Sequence, residues 1–308
     1  MNLPARLRVW LRTTQCHSAR FRGPFGTYRI YRERPRLNWY AMLKILHFAD
    51  LHLAGPPACE EGRASGCDSR RNALRRIVDL ALDLSVDALT VGGDLYEHEH
   101  ATAETGDFIA AQFKRLGSRP VLIAPGNHDP HVAGSLYERT AWPSNVEIFR
   151  DTRWRPVTLA PDVQLWGIGH DRPELQENIL RRLHVGPSGT NIALFHGWDM
   201  AAGPPRDVLH CPFTQDDVER SRVDFALVGH YHRMSITPQG QPRYGYPGVP
   251  LALDSPDQTG RVLLLSIERR GVSVQAMELA PRISRQATVS APREEPSRRE
   301  PAGVVPAR

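Results

Sequence analysis

The chain has 308 residues, and its 41% hydrophobic and 24% charged residues are typical of a soluble globular protein with a sizeable core. No run approaches the roughly eighteen uninterrupted apolar residues that a membrane-spanning helix needs, so we expect no membrane span. The net charge of +5 comes from the two ends, and residues 42–280 carry 24 basic and 30 acidic side chains, which is no general electrostatic footprint for DNA. An acidic body that holds most of the 13 His suggests metal binding instead.

The cysteines and the N-terminus bear on the compartment. Cys16, Cys59, Cys67 and Cys211 form no close C-x-x-C pair and are too sparse for a disulfide scaffold. The Arg-rich N-terminus lacks the apolar segment of a secretory signal. We therefore predict a reducing, cytoplasmic location.

The two ends differ from the body in composition. Residues 1–41 contain nine Arg and little periodicity, and from Met42 the sequence changes to MLKILHFADLHL. We interpret 1–41 as a flexible Arg-rich extension or the product of a mis-assigned start. Residues 42–280 are predicted to be the catalytic domain. Residues 281–308 are rich in Pro, Arg, Glu and Ala, which predicts a disordered tail.

Strand-like and helix-like segments alternate within the body, which predicts an α/β layered domain. Strands are predicted at 43–49, 87–91, 120–124, 163–168, 191–195 and 224–228. Helices are predicted at 70–85, 101–116, near 173–183 and at 215–221, the last with Thr214 as its N-cap. Residues 243–279 are predicted to form a terminal β-hairpin or meander.

Five of the strand-like runs end in side chains that can bind a metal. They are Asp50 and His52, then Asp94, then Asn127 and His128, then His196, and finally His230 and His232. Each group alone is explained by a turn or a hydrogen-bonded histidine. The carboxyl ends of strands form the ligand crevice in layered α/β folds, so the five groups together predict one metal site.

The mixture of ligands indicates the chemistry. Two divalent ions about 3.5–4 Å apart need a bridging carboxylate. Carboxylate oxygen with imidazole suits manganese, iron or zinc better than calcium, and we expect manganese first. Such a pair of ions binds a phosphate oxygen and presents a bridging hydroxide to the phosphorus. The predicted reaction is phosphoester hydrolysis.

The motifs D-x-H, G-G-D, G-N-H-D, H-G and G-H-x-H, in this order over about residues 42–268, resemble those of the calcineurin-like metallophosphoesterase superfamily. The resemblance implies a distorted two-sheet β-sandwich flanked by helices. It also implies a metal site made of Asp50, His52 and His232, and a second one made of Asn127, His196 and His230, with Asp94 bridging.

The same resemblance implies two further roles. His128 would stabilise the transition state or protonate the leaving oxygen, and Asp129 would orient the His128 ring by a hydrogen bond. Gly93, Gly126 and Gly229 would let the backbone turn tightly beside the metals.

Details beyond the ligands are similar to the SbcD-like DNA-repair exonucleases. They are the opening LKILHFADLHL, the GGDLY segment, and GHYH followed by YPGVPLAL and a final hairpin. This similarity implies DNA as a substrate and an SbcC-like ATPase partner. Glu97 stands three residues after Asp94, where archaeal and eukaryotic members of this nuclease group carry His.

Three functions are compatible with this sequence. The first is a phosphodiesterase or nuclease of the SbcD-like branch. The second is a phosphomonoesterase acting on small phosphorylated metabolites or nucleotides, which the acidic body and the few residues after the last strands favour. The third is a scaffold module without catalysis, against which stands the full set of predicted ligands together with His128.

Overall fold

The computed structural model describes residues 20–23, 26–29, 42–53, 65–203, 209–241, 243–251, 260–268 and 271–279. In chain order its strands are β1 (Arg20–Gly23), β2 (Gly26–Arg29), β3 (Leu43–Phe48), β4 (Ala88–Val91), β5 (Val121–Ile123), β6 (Val146–Ile148), β7 (Arg155–Ala160), β8 (Val163–Gly167), β9 (Thr190–His196), β10 (Phe225–Gly229), β11 (Ser235–Thr237), β12 (Tyr244–Tyr246), β13 (Arg261–Glu268) and β14 (Gly271–Glu278). The α-helices are α1 (Ser65–Asp83), α2 (Ala103–Lys114), α3 (Leu136–Arg139) and α4 (Gln215–Ser221). Short 3₁₀ helices span Ile179–Arg182 and Met200–Ala202.

Two six-stranded mixed sheets form the body. The first has the order β14-β13-β3-β4-β5-β6, and β3 to β6 run parallel in it. The second has the order β11-β12-β10-β9-β8-β7, and β8, β9, β10 and β12 run parallel in it. Strands β1 and β2 pair with each other as a separate antiparallel ribbon.

Alternation along the strands sends one set of side chains between the sheets and the other set outward. Leu194 on β9 packs between the sheets with Phe225 and with Ile45 of β3. The next residue, Phe195, points the other way and packs with Val218 of α4. Helices α1 and α2 cover the outer face of the first sheet. The prediction of a two-sheet β-sandwich flanked by helices is confirmed.

The helix predicted near 173–183 is wrong. Only Ile179–Arg182 is helical there, as a 3₁₀ turn. The carbonyl oxygen of Leu175 accepts a hydrogen bond from the amide of Cys211 at 2.6 Å. This carbonyl oxygen is therefore not available for the i to i+4 hydrogen bonds of an α-helix. Strands β13 and β14 form the expected hairpin, whereas β12 joins the second sheet.

Two expectations about the ends stay predictions. Apart from β1 and β2, residues 1–41 lie outside the described residues, and the tail predicted at 281–308 lies wholly outside them. Among the described residues, no helix combines the length and the apolar character needed to cross a membrane.

The packing between the sheets predicts a large cost for truncating Leu194, which is fully buried. We expect Leu194→Ala to lower the free energy of unfolding by about 2–5 kcal/mol, because the cavity is lined by both sheets. Met200, which is 45% exposed, provides the control: Met200→Ala should change that free energy by no more than about 0.5 kcal/mol. Urea denaturation measures both, and equal, small changes would contradict this packing.

Candidate metal centre

The predicted site residues lie where the carboxyl ends of strands from both sheets meet. The first sheet contributes the segments after β3, β4 and β5, and the second contributes the end of β9 and the segment after β10. Two hydrogen bonds join the sheets at this point. His196 Nδ1 donates to the carbonyl oxygen of Gly92 at 2.7 Å, and the amide of His230 donates to Asp50 Oδ1 at 2.9 Å. The strand ends of separate sheets therefore form one cluster.

The first group of side chains consists of Asn127, His196 and His230. Asn127 Oδ1 lies 2.9 Å from His196 Nε2 and 3.1 Å from His230 Nδ1, and these two nitrogens are 3.0 Å apart. Each of the three atoms is either a donor or an acceptor. Three atoms in mutual contact cannot form three donor–acceptor pairs, so at least one contact is repulsive in every protonation state.

A cation removes this conflict, because all three atoms can present lone pairs to it. His196 already donates through Nδ1 to Gly92, which leaves Nε2 as the nitrogen able to bind a metal. Metal–nitrogen bonds of about 2.0–2.1 Å at right angles place two donors roughly 3 Å apart. The spacing and donor types of this group therefore fit a divalent metal ion.

The second group consists of Asp50, His52 and His232, and its ligand atoms all lie within 4.8 Å of one another. His52 Nε2 is 3.2 Å from His232 Nε2. His52 donates through Nδ1 to Glu97 Oε1 at 2.6 Å, so Nε2 faces this second site. The group offers one carboxylate and two imidazoles, a donor set suited to manganese, iron or zinc.

Asp94 lies between the two groups. Its Oδ2 is 3.8 Å from His52 Nε2 and 3.4 Å from His196 Nε2. Its Oδ1 accepts a hydrogen bond from the amide of His128 at 3.0 Å. One carboxylate therefore faces both candidate sites, which is the placement expected of a bridging ligand.

Burial and mutual charge shift the pKa values of these groups. Burial raises the pKa of Asp50 to about 7. Burial acts to lower the pKa of His196, but the neighbouring carboxylate of Asp94 raises it to about 9. Burial lowers the pKa of His230 to about 2 and that of His232 to about 4. These last two imidazoles are neutral at pH 7, the form that binds metals.

The backbone at the site is held in an uncommon conformation. Asp50, His52 and Asp94 have φ values of 55°, 51° and 52°, and His230 has 103°. Non-glycine residues rarely adopt such angles, and they persist where the surrounding structure enforces them, often at functional sites. Gly126 packs against this backbone so closely that a Cβ at Gly126 would collide with Asp94 Oδ1. Close approach of backbone and ligand thus requires glycine at this position.

His128 lies beside the cluster. Its Nδ1 donates to Glu97 Oε2 at 2.8 Å, and its ring contacts that of His52 edge to face with centroids 4.9 Å apart. Burial acts against the charged form, but the hydrogen bond to Glu97 is the largest effect and raises the pKa of His128 to about 9. Its Nε2 is the nitrogen that Glu97 leaves unengaged.

The predicted orientation of His128 by Asp129 is wrong. The buried Asp129 carboxylate accepts hydrogen bonds from the amides of Gly126, Asp94 and Leu95 and from the Tyr137 hydroxyl, over 2.6–3.0 Å. Those four donors occupy the acceptor positions of the carboxylate and direct it toward the loop backbone. Sequence reasoning missed Glu97 as the residue that contacts His128. The available signal was its position three residues after Asp94, in the same strand-end segment.

The structure thus brings the seven predicted ligands and His128 together, and their roles at a metal stay predictions. The family described as calcineurin-like phosphoesterase matches residues 43–234, a range that covers well over half of the chain and contains all seven predicted ligands. The chain belongs to the calcineurin-like phosphoesterase family. This confirms the family that the sequence motifs resemble.

Two curated proteins are similar to this family member in sequence. The chain is 28% identical over 218 residues to the uncharacterized metallophosphoesterase YhaO of Bacillus subtilis, covering 67% of the chain and 52% of YhaO. It is 26% identical over 251 residues to the DNA double-strand break repair protein Mre11 of Aeropyrum pernix, covering 73% of the chain and 58% of Mre11. The chain thus spans little more than half the length of these relatives.

Solved structures of low sequence identity are also similar to this family member. The purple acid phosphatase PPD1 of yellow lupin aligns with a TM-score of 0.49 at 15% identity. That alignment covers 78% of this chain and 52% of the lupin protein.

The position of Asp94 predicts that one substitution affects both sites. Asp94→Asn removes the negative charge that faces them, so we expect both Mn²⁺ affinities to fall by about tenfold or more and turnover to be lost. Calorimetric titration of the metal-free protein with Mn²⁺ measures the two affinities, and an assay of phosphoester hydrolysis measures turnover. Asp162→Asn, at an exposed position, is the matched control. Loss of only one binding event would contradict the bridging placement.

Proposed function

We propose that the chain is a dinuclear-metal phosphodiesterase that acts on DNA, with manganese as the metal. The observation that carries the proposal is the mutual contact of Asn127, His196 and His230 beside Asp94. These atoms have no satisfactory arrangement of protons, and Asp94 faces a second donor group. Two cations fit this constellation better than any hydrogen-bond network does.

The proposed roles follow from placement. Asp50, His52 and His232 would hold one ion, Asn127, His196 and His230 the other, and Asp94 both. Such a pair of ions supplies Lewis-acid stabilisation of phosphoryl oxygens and acidifies water at neutral pH. His128 is 46% exposed in its side chain and adjoins the cluster, so its Nε2 can reach a bound ester and protonate the leaving oxygen.

The charges around the site favour a diester over a monoester. A phosphomonoester is a dianion at neutral pH and needs more compensating positive charge than a monoanionic diester. In the part of the chain that the structure describes, no Lys or Arg side chain pairs with Asp50, Asp94 or Glu97. Arg70 lies near the site, but its guanidinium donates a hydrogen bond to the backbone carbonyl of His52. Glu97 adds a negative charge beside His128.

The choice of DNA among diesters is supported by the curated relative named as a DNA double-strand break repair protein. Manganese is proposed from among manganese, iron and zinc, the metals that the mixed carboxylate and imidazole donors suit. An SbcC-like ATPase partner and a cytoplasmic location stay predictions.

The first test is Mn²⁺-supported hydrolysis of an aryl phosphodiester and of the matching aryl phosphomonoester. We expect the wild-type protein to prefer the diester, and His128→Ala to lower its kcat by about 100-fold or more, because the leaving oxygen is no longer protonated. His184→Ala, at an exposed position, is the control and should retain the wild-type rate. Single-stranded and double-stranded DNA are then assayed in the same manner.

Preference for the monoester would replace the proposal with the phosphomonoesterase alternative. The absence of any His128-dependent hydrolysis of diester, monoester and DNA would favour a scaffold without catalysis.

A further inference from the structure

Glu97 connects the two parts of the site through its two carboxylate oxygens. Oε1 accepts a hydrogen bond from His52 Nδ1 at 2.6 Å, and Oε2 accepts one from His128 Nδ1 at 2.8 Å. His52 belongs to a candidate metal site and His128 is the proposed proton donor. One side chain therefore contacts a metal ligand and an acid at the same time.

The backbone of Glu97 is fixed to the loops that carry both histidines. Its amide donates to the carbonyl oxygen of Leu53, next to His52, at 2.9 Å. The amide of the following residue, His98, donates to the carbonyl oxygen of His128, also at 2.9 Å. The carboxylate is thus held at a fixed place between the two rings.

The two rings depend on Glu97 to different degrees. The side chain of His52 is 9% exposed and that of His128 is 46% exposed. Packing restricts the buried ring. Among the residues that the structure describes, the exposed ring is contacted by the Glu97 carboxylate and by the edge of His52. The hydrogen bond therefore does more to orient His128 than to orient His52.

The same hydrogen bonds select the nitrogen that each ring presents. A proton on Nδ1 shared with a carboxylate leaves Nε2 for the other partner of the imidazole. For His52 that partner would be a metal ion, and for His128 it would be the ester oxygen.

We propose that Glu97 is a positioning residue that holds His52 and His128 in one arrangement, with Nε2 of the first directed to the metal and Nε2 of the second to the leaving group. The part that concerns His128 rests on the proposed function. The part that concerns His52 needs only that a metal binds.

The test compares Glu97→Gln, Glu97→Asp and wild type, with Glu99→Gln as the matched control at an exposed position two residues away. Gln keeps the length of the side chain but can accept from only one of the two rings. Asp keeps both acceptor oxygens on a shorter stem and serves as the conservative variant. Thermal unfolding verifies that each variant is folded, and Glu97→Ala, which removes both acceptor oxygens, replaces Glu97→Gln if the latter is not.

The first readout is the affinity for Mn²⁺ by calorimetry, without substrate. We expect Glu97→Gln to weaken one of two binding events by about 10- to 100-fold, the usual effect of removing the partner of a metal-bound histidine. The other binding event of Glu97→Gln should keep its wild-type affinity. The control variant should bind both ions with wild-type affinity, and Glu97→Asp should retain part of the affinity that Glu97→Gln loses. Unchanged affinity for both ions would overturn the part that concerns His52.

The second readout is kcat at saturating Mn²⁺ on two aryl phosphodiesters, one with a good and one with a poor leaving group. Proton donation matters most for the poor leaving group, so Glu97→Gln should lower that rate about tenfold and the other less than threefold. In a His128→Ala background the same substitution should have no selective effect. Equal losses on both esters, or selective losses without His128, would overturn this part.

Failure of the proposed function gives a different pattern. Wild-type protein would then hydrolyse neither ester, while calorimetry would still decide whether Glu97 supports the metal site at His52.

Discussion

Three atoms that cannot all be hydrogen-bonded to one another stand at the centre of this protein. Asn127 Oδ1, His196 Nε2 and His230 Nδ1 lie within 3.1 Å of each other in pairs, and buried polar atoms without compatible partners are costly. The surrounding structure holds them there. A divalent cation would convert this unfavourable contact into a set of ligands, and the proposed chemistry of the site depends on that conversion.

The fold holds the donor atoms of the candidate metal centre close to one another. Two sheets pack face to face through a core that includes Ile45, Leu194 and Phe225, and this packing brings the strand ends of both sheets to one place. The left-handed backbone at Asp50, His52 and Asp94 then turns the side chains inward. Core burial thus offsets local strain and charge repulsion, as is common where structure serves binding more than stability.

Much of this arrangement could be predicted from the sequence. Apolar runs that end in Asp, Asn or His mark both the strands and their carboxyl ends, so the two sheets and the gathering of donors were foreseeable. The two wrong predictions, the helix near 173–183 and the orientation of His128 by Asp129, have a shared cause. The Leu175 carbonyl is bound by Cys211 and the Asp129 carboxylate by four nearby donors, and such tertiary partners leave no trace in local periodicity. Glu97 is similar, because only the folded chain shows that both histidines reach it.

Anomalous diffraction at the manganese absorption edge, from crystals grown with Mn²⁺, would locate the metal ions in this cluster. We expect two peaks per chain, one beside Asn127, His196 and His230 and the other beside Asp50, His52 and His232, with Asp94 between them. A single peak, or none within this cluster at saturating Mn²⁺, would contradict a dinuclear centre.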